Sequence, residues 1–107
     1  MTPKALAQSK AFLVGLHYLE TGYFWEAHEV LEPVWMALPE SGDHRSLVQA
    51  LIQFANAQLK LEMGRPKAAQ RLCEIVRGLL IKVNEPVVLN VEVRQILSEL
   101  DSFQQRL

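Results

Sequence analysis

The stretch SLVQALIQFANAQLKLEM, from Ser46 to Met63, constrains the fold more than any other part of the chain. At a helical period it is apolar over most of its circumference, leaving Gln49, Gln53, Asn56 and Lys60 as one narrow polar stripe. A helix apolar nearly all round has no face to offer water, so other elements must surround it. The expectation is an all-α bundle of five helices with this third helix buried at its centre. With 107 residues, half of them hydrophobic, the chain has material for one core and one domain over residues 1–107.

Glycine and proline divide the rest. Pro3, after a capping Thr2, opens a first helix on which Ala5, Leu6, Phe12, Leu13, Leu16 and Leu19 recur at helical spacing as far as Thr21 and Gly22. A second helix is expected from about Tyr23 to Leu38, with Tyr23, Ala27, Val30, Leu31, Val34 and Leu38 on its apolar face. Pro33 removes one backbone hydrogen bond inside it and should kink or loosen its C-terminal half. The segment PESGDHR reads as a polar loop with a solvated His44, and the third helix follows. Gly64 ends that helix and Pro66 begins a fourth, whose inner face is Ala69, Leu72, Cys73, Val76, Leu80 and Val83. After NEPVVLN, with Asn90 as cap, Val93, Ile96, Leu97, Leu100 and Phe103 give an amphipathic fifth helix. The pattern requires no strand.

A quiet repeat runs through this arrangement. LETGYFWEAHEVLE, from Leu19, and LEMGRPKAAQRLCE, from Leu61, share leucine, glutamate, glycine, alanine and the final glutamate at an offset of 42 residues. Val30, Val34 and Leu38 fall opposite Leu72, Val76 and Leu80. Both copies read as helix, glycine turn, helix, a shape similar to tetratricopeptide hairpins, although two copies at this period are fewer than a solenoid needs. The second copy has Gln70 where the first has His28, and Arg77 where it has Trp35. The hairpin therefore requires neither His28 nor Trp35.

Charge and cysteine content exclude several classes of function. The 11 basic and 12 acidic residues interleave and leave no basic stripe for a phosphate backbone, so nucleic-acid binding is not expected. Cys73 is the only cysteine, which rules out an internal disulfide, fits a reducing compartment and, flanked by apolar residues, reads as packing. The start MTPKALAQSK lacks the apolar centre of a signal peptide, and no apolar run approaches the ~18 residues of a membrane span, so a cytoplasmic protein is expected.

Chemical character concentrates in GYFWEAHEVLEPVW, residues 22–35. His28, Glu32 and Trp35 stand at i, i+4 and i+7 on one edge of the second helix, where an imidazole reaches the carboxylate one turn on. YFWEAHEVLEPVW resembles the signature of the family known as domain of unknown function 309: a histidine, a glutamate four residues on, and an aromatic three further. Those positions here are His28, Glu32 and Trp35. ALIQFANAQLKLEMGRPKAAQRL looks like the family's second block and EPVVLNVEVRQILSEL like its C-terminal helix. The chain departs from the pattern at Ala50, where a glycine is usual before LIQ, and at Pro33, where a helix former is usual. The resemblance implies an all-α bundle around a buried central helix, an uncharacterised activity, and a histidine-glutamate motif suggested to bind metal.

Three uses of the cluster follow from its chemistry. The first is a structural network, in which histidine, glutamate and tryptophan satisfy and pack one another at a helix junction. The second is a metal-dependent hydrolase with His28 and Glu32 as ligands to zinc, iron or manganese and Glu29 as general base. A catalytic zinc takes three protein ligands, so His17 or Gln53 would have to supply the third, and neither H-E-x-x-H nor the Glu-x-x-His of di-iron bundles is present. The third is a binding site for a small molecule or protein, with the His28–Glu32 pair, Trp25 and Trp35 as apolar walls, and Gln53 and Asn56 as polar partners from the central helix. Trp25 and Met36 lie with Glu29 on the side opposite the apolar face, which points to a self-contact in a homo-oligomer or to a partner's groove, unless the fifth or the N-terminal helix covers them. The reading adopted is a small binding or interaction protein, with the hydrolase as its alternative.

Overall fold

A computed structural model describes residues 2–107. Its elements in chain order are α1 (Pro3–Ala7), α2 (Lys10–Thr21), α3 (Phe24–Met36), α4 (Asp43–Glu62), α5 (Pro66–Ile81), β1 (Val87–Val88), β2 (Val91–Glu92) and α6 (Val93–Gln104). The all-α expectation holds, with α4 at the centre. Leu47, Val48, Ala50, Leu51, Ile52, Phe54, Ala55 and Ala57 are all buried on that one helix.

The repeat is visible as two helical hairpins. α2 and α3 are joined at Gly22, α4 and α5 at Gly64, and both glycines sit in the left-handed region at φ 89° and 75°. A residue with a side chain is strained there, which explains why the two copies share glycine at the turn. Ala27 and Ala69 are each fully buried, as are Leu31 and Cys73 one turn further on. Inside the first hairpin Gly15 lets α2 and α3 approach closely: a Cβ added there would lie 2.6 Å from Leu31 Cγ, well inside van der Waals contact. The short connections set α3 and α5 antiparallel to α4 and hence parallel to each other. α2, α4 and α6 line a common groove to which α3 and α5 contribute nothing, so the helices form two layers.

Several boundaries differ from the sequence expectation. The first helix is divided at Gln8 and Ser9, giving six helices among the described residues instead of five. Ser9 stops one helix and starts the next by accepting the Phe12 amide on its hydroxyl at 3.3 Å, as an N-cap does. α3 runs through Pro33 to Met36, because the proline forfeits one N–H while its own carbonyl still accepts from Ala37 at 3.1 Å. The stretch read as loop at Asp43, His44 and Arg45 is the first turn of α4, and His44 is half-buried. Asp43 holds that turn against the end of α5 by accepting the amides of Asn84 and Glu85 at 3.1 and 3.0 Å.

The largest departure is a small antiparallel hairpin where no strand was expected, pairing Val87 with Glu92 and Val88 with Val91. Leu89 and Asn90 form its turn with φ of 53° and 63°, the two positive values a type I′ turn needs. Asn90 is thus a turn residue and not the cap of the last helix, whose N-cap is Glu92. Leu89 tolerates the same backbone because its side chain is buried. α6 then lays Val93, Ile96, Leu100 and Phe103 inward, with Phe103 edge-on to Phe54 of α4 at 5.8 Å. Arg77 of α5 ties α6 down through Asp101 at 2.6 Å and through Gln104, which also donates to Gln70.

Candidate functional site

The composition of α3 sets its chemistry. FWEAHEVLEPVWM holds three glutamates and no lysine or arginine. Ala27, Leu31 and Val34 recur at helical spacing and are buried, which turns Trp25, Glu29 and Met36 outward and leaves His28, Glu32 and Trp35 at the edge. His28 Nε2 lies 3.1 Å from Glu32 Oε2, and Nδ1 lies 3.5 Å from Glu29 Oε1. Both are electrostatic contacts between a ring nitrogen and a carboxylate oxygen, and neither has the geometry of a hydrogen bond. The side chains of His28, Glu29 and Glu32 are 27, 52 and 47% exposed, and contacts so solvated contribute little to stability. All three belong to one helix, and among the described residues none makes a side-chain hydrogen bond to another element.

Trp35 is anchored differently. The Arg45 guanidinium lies over its ring at 4.1 Å and donates from Nη1 to the carbonyls of Trp35 and Leu38 at 3.3 and 3.1 Å. One cation from the first turn of α4 therefore stacks on the indole and caps the C-terminus of α3, where the helix dipole favours positive charge. Reading HR as loop hid this residue; an arginine a few positions beyond a helix end was the available signal. Trp35 Nε1 is buried and meets no acceptor among the described residues, so ring packing and not hydrogen bonding fixes the indole.

The other sequence candidates do not converge on the pair. Gln53 and Asn56 bond to each other along α4 at 3.3 Å, and neither bonds to α3. His17 is exposed on α2. Among the described residues no group of three histidine, cysteine or carboxylate side chains is arranged to hold a metal ion. His28 and Glu32 offer two ligands from a single turn, with Nε2 already facing the carboxylate, a donor set that does not fit the three-ligand requirement of a catalytic zinc. Trp25 and Met36 are 57% and 66% exposed; neither α1 nor α6 covers them.

Two other features bear on function. On the layer opposite α3, α2 and α6 wall an open groove of about 830 Å³ floored by Phe54 and Gln58, with Leu19, Ile96 and Phe103 as apolar lining. No local pattern announces this groove, because it arises from the separation of helices distant in the chain. Cys73 is buried, and burial pushes its thiol above the usual range against the opposing pull of Arg77, as suits a packing residue.

The fold and this edge define an all-α protein of paired helical hairpins that carries a histidine-glutamate-tryptophan motif on its third helix. The model of the family described as domain of unknown function (DUF309) matches residues 12–72, more than half of the chain. The chain belongs to that family. The match takes in the motif of α3, all of α4 and the start of α5, and leaves α6 outside. Neither a search of curated proteins nor a search of solved structures finds a match. No helix among the described residues is long and apolar enough to cross a membrane.

Proposed function

We propose that the chain is a binding module whose working surface is the outer face of α3. The observation that carries this reading is the exposure of Trp25 and Met36 at the two ends of a stripe whose middle is Glu29 and Glu32. Indole and thioether surface left in water on one stripe is what an interface presents. The stripe reads apolar, acidic, apolar, and its complement is a protein surface reading apolar, basic, apolar. His28 belongs to this surface as the group that orients both carboxylates.

Photo-cross-linking tests the reading. A photoreactive phenylalanine at position 25 or 36, introduced in the living cell, should yield a discrete cross-linked product. The same residue at Glu62, exposed at the far end of α4, should not. Equal labelling from all three positions, or none from 25 and 36, would remove the interface.

The alternative, a metal-dependent hydrolase with His28 and Glu32 as ligands and Glu29 as base, lacks a third ligand among the described residues. Metal content per chain, measured by mass spectrometry on protein purified without chelator, decides it. The expected result is no stoichiometric zinc, iron or manganese that disappears in His28→Ala. A stoichiometric, His28-dependent ion would restore the enzyme reading.

A further inference from the structure

The acidic stripe of α3 has a complement on the same chain. α3 carries Glu26, Glu29 and Glu32 and no lysine or arginine, whereas α5, its counterpart in the second hairpin, carries Lys67 and Arg71 against a single Glu74, with Lys82 at its C-cap and Arg77 turned to Asp101 of α6. α5 also presents uncovered apolar surface: Ile75 is 48% and Ile81 75% exposed. Gly78 is exposed, and a Cβ added there would meet nothing within 4 Å. α3 and α5 each pack on α4, and neither lines the groove walled by α2 and α6, which places both on the side of α4 away from that groove.

We propose that this layer pairs with the same layer of a second copy of the chain, with α3 of each protomer lying on α5 of the other. The inference rests on reading α3 as an interaction face and names its partner. The operator is a two-fold axis running along the helices midway between α3 and α5. Rotation about it preserves height along the helices and exchanges the two hairpins, so positions 42 residues apart come opposite one another. Glu29 then faces Arg71, Met36 faces the gap left by Gly78, and Trp25 faces Lys67. Carboxylate meets guanidinium, a long thioether enters a glycine notch, and an indole meets an ammonium and its methylene stem. Glu32 opposite Glu74 is the one like-charge pair, and His28 Nε2 stands 3.1 Å from that Glu32 carboxylate.

The competing arrangement, α3 on α3 about a perpendicular axis, would gather Glu29 and Glu32 of both copies at the dyad. Four carboxylates with no lysine or arginine among them repel there, so charge favours the α3–α5 pairing. The same patch serves both copies, and the interface closes at two chains. The α3–α5 face measures about 20 Å along helices of this length and about 20 Å across two of them, about 400 Å² per copy, below the size of stable specific interfaces and in the range of weak, transient ones. A reversible dimer is expected, not an obligate one.

Sedimentation equilibrium on the purified full chain, with Glu29→Lys, Arg71→Glu and the double exchange, tests the pairing; circular dichroism verifies that each variant is folded. The wild type should dimerise with rising concentration. Each single reversal should raise the dissociation constant by about tenfold or more, and the double exchange should restore it to within about threefold of wild type. A wild type that stays monomeric to millimolar concentration overturns the pairing, as does a double exchange weaker than either single reversal. The α3 reading fails separately. A monomeric pure protein whose position 25 still cross-links to a different protein in the cell refutes self-pairing and leaves the interface. The loss of both signals refutes both.

Discussion

Replacing Gly15 with alanine tests the packing that places α3. In an exposed helix this change stabilises by about 1 kcal/mol, because alanine surrenders less backbone freedom than glycine. Here the new methyl carbon would lie 2.6 Å from Leu31 Cγ, and Leu31 is fully buried between Ala27 and Val34 on the inner face of α3. The clash includes Leu31 Cγ, which lies close to the backbone of α3, so the two helices must part or the side chain must leave its rotamer. Overpacking costs about 1–3 kcal/mol, and so short an approach belongs to the upper part of that range, about 2–3 kcal/mol; less the propensity gain, the net loss is about 1–2 kcal/mol, or about 4–10 °C in melting temperature for a domain of this size. Urea unfolding followed by circular dichroism would measure it for Gly15→Ala, Leu31→Ala and the double variant. Leu31→Ala alone should cost about 2–5 kcal/mol. In the double variant the added methyl occupies space that the leucine vacated, so its loss should be no larger than that of Leu31→Ala and smaller than the sum of the two by about 1 kcal/mol or more. A Gly15→Ala protein as stable as wild type, or more so, would refute the argument, since it would mean that α2 and α3 are not held at the separation the glycine permits.

Two further changes address the ends of the same hairpins. Arg45→Ala removes both the stack on Trp35 and the donor to the Trp35 and Leu38 carbonyls, and should cost about 1–2 kcal/mol with a red shift of the tryptophan emission, whereas Arg45→Lys should fall between the two; an unshifted spectrum and unchanged stability would show that the contact contributes nothing. Burial holds the Cys73 thiol protonated above the pH at which an unfolded thiol ionises, near about 8.5, so stability from this group is fully present below that value and falls as pH rises through it. Cys73→Ala should abolish that part of the alkaline slope, and a disulfide reagent should label the native thiol only as fast as the chain unfolds; rapid native labelling would contradict its burial.

How much of this was readable in the sequence depends on the range of the forces involved. The buried centre followed from Ser46–Met63 because a helix apolar on nearly every side has one place to go, and the glycine turns followed from backbone geometry local to Gly22 and Gly64. The division of the first helix depended on whether Ser9 caps or continues, a choice of about 1 kcal/mol that periodicity does not register. The hairpin at 87–92 escaped notice because its signal, two consecutive left-handed residues, was carried by Leu89 and Asn90, and leucine is not a residue that announces such a turn. At the site, spacing alone placed His28 beside Glu32 and set Trp25 and Met36 outward. The contribution of Arg45 and the mutual bond of Gln53 and Asn56 depend on how α4 is rotated against α3, which no single helix encodes.

The repeat gives the histidine its last test. At the positions equivalent to His28 and Trp35 the second hairpin has Gln70 and Arg77, and both reach the helix that follows it, α6. Trp35 does the corresponding job in the first hairpin, since Arg45 of the following helix rests on its ring. His28 does not: its polar contacts return to Glu29 and Glu32 of its own helix. The residue at that edge is therefore free of the docking duty its counterpart performs, and His28→Gln, which installs the residue of the second copy, should leave unfolding free energy within about 0.5 kcal/mol of wild type, as expected for a half-exposed site away from core contacts. A loss of about 3 kcal/mol or more in His28→Gln would instead mean that the imidazole holds α3 in place, and the motif would return from the surface to the architecture.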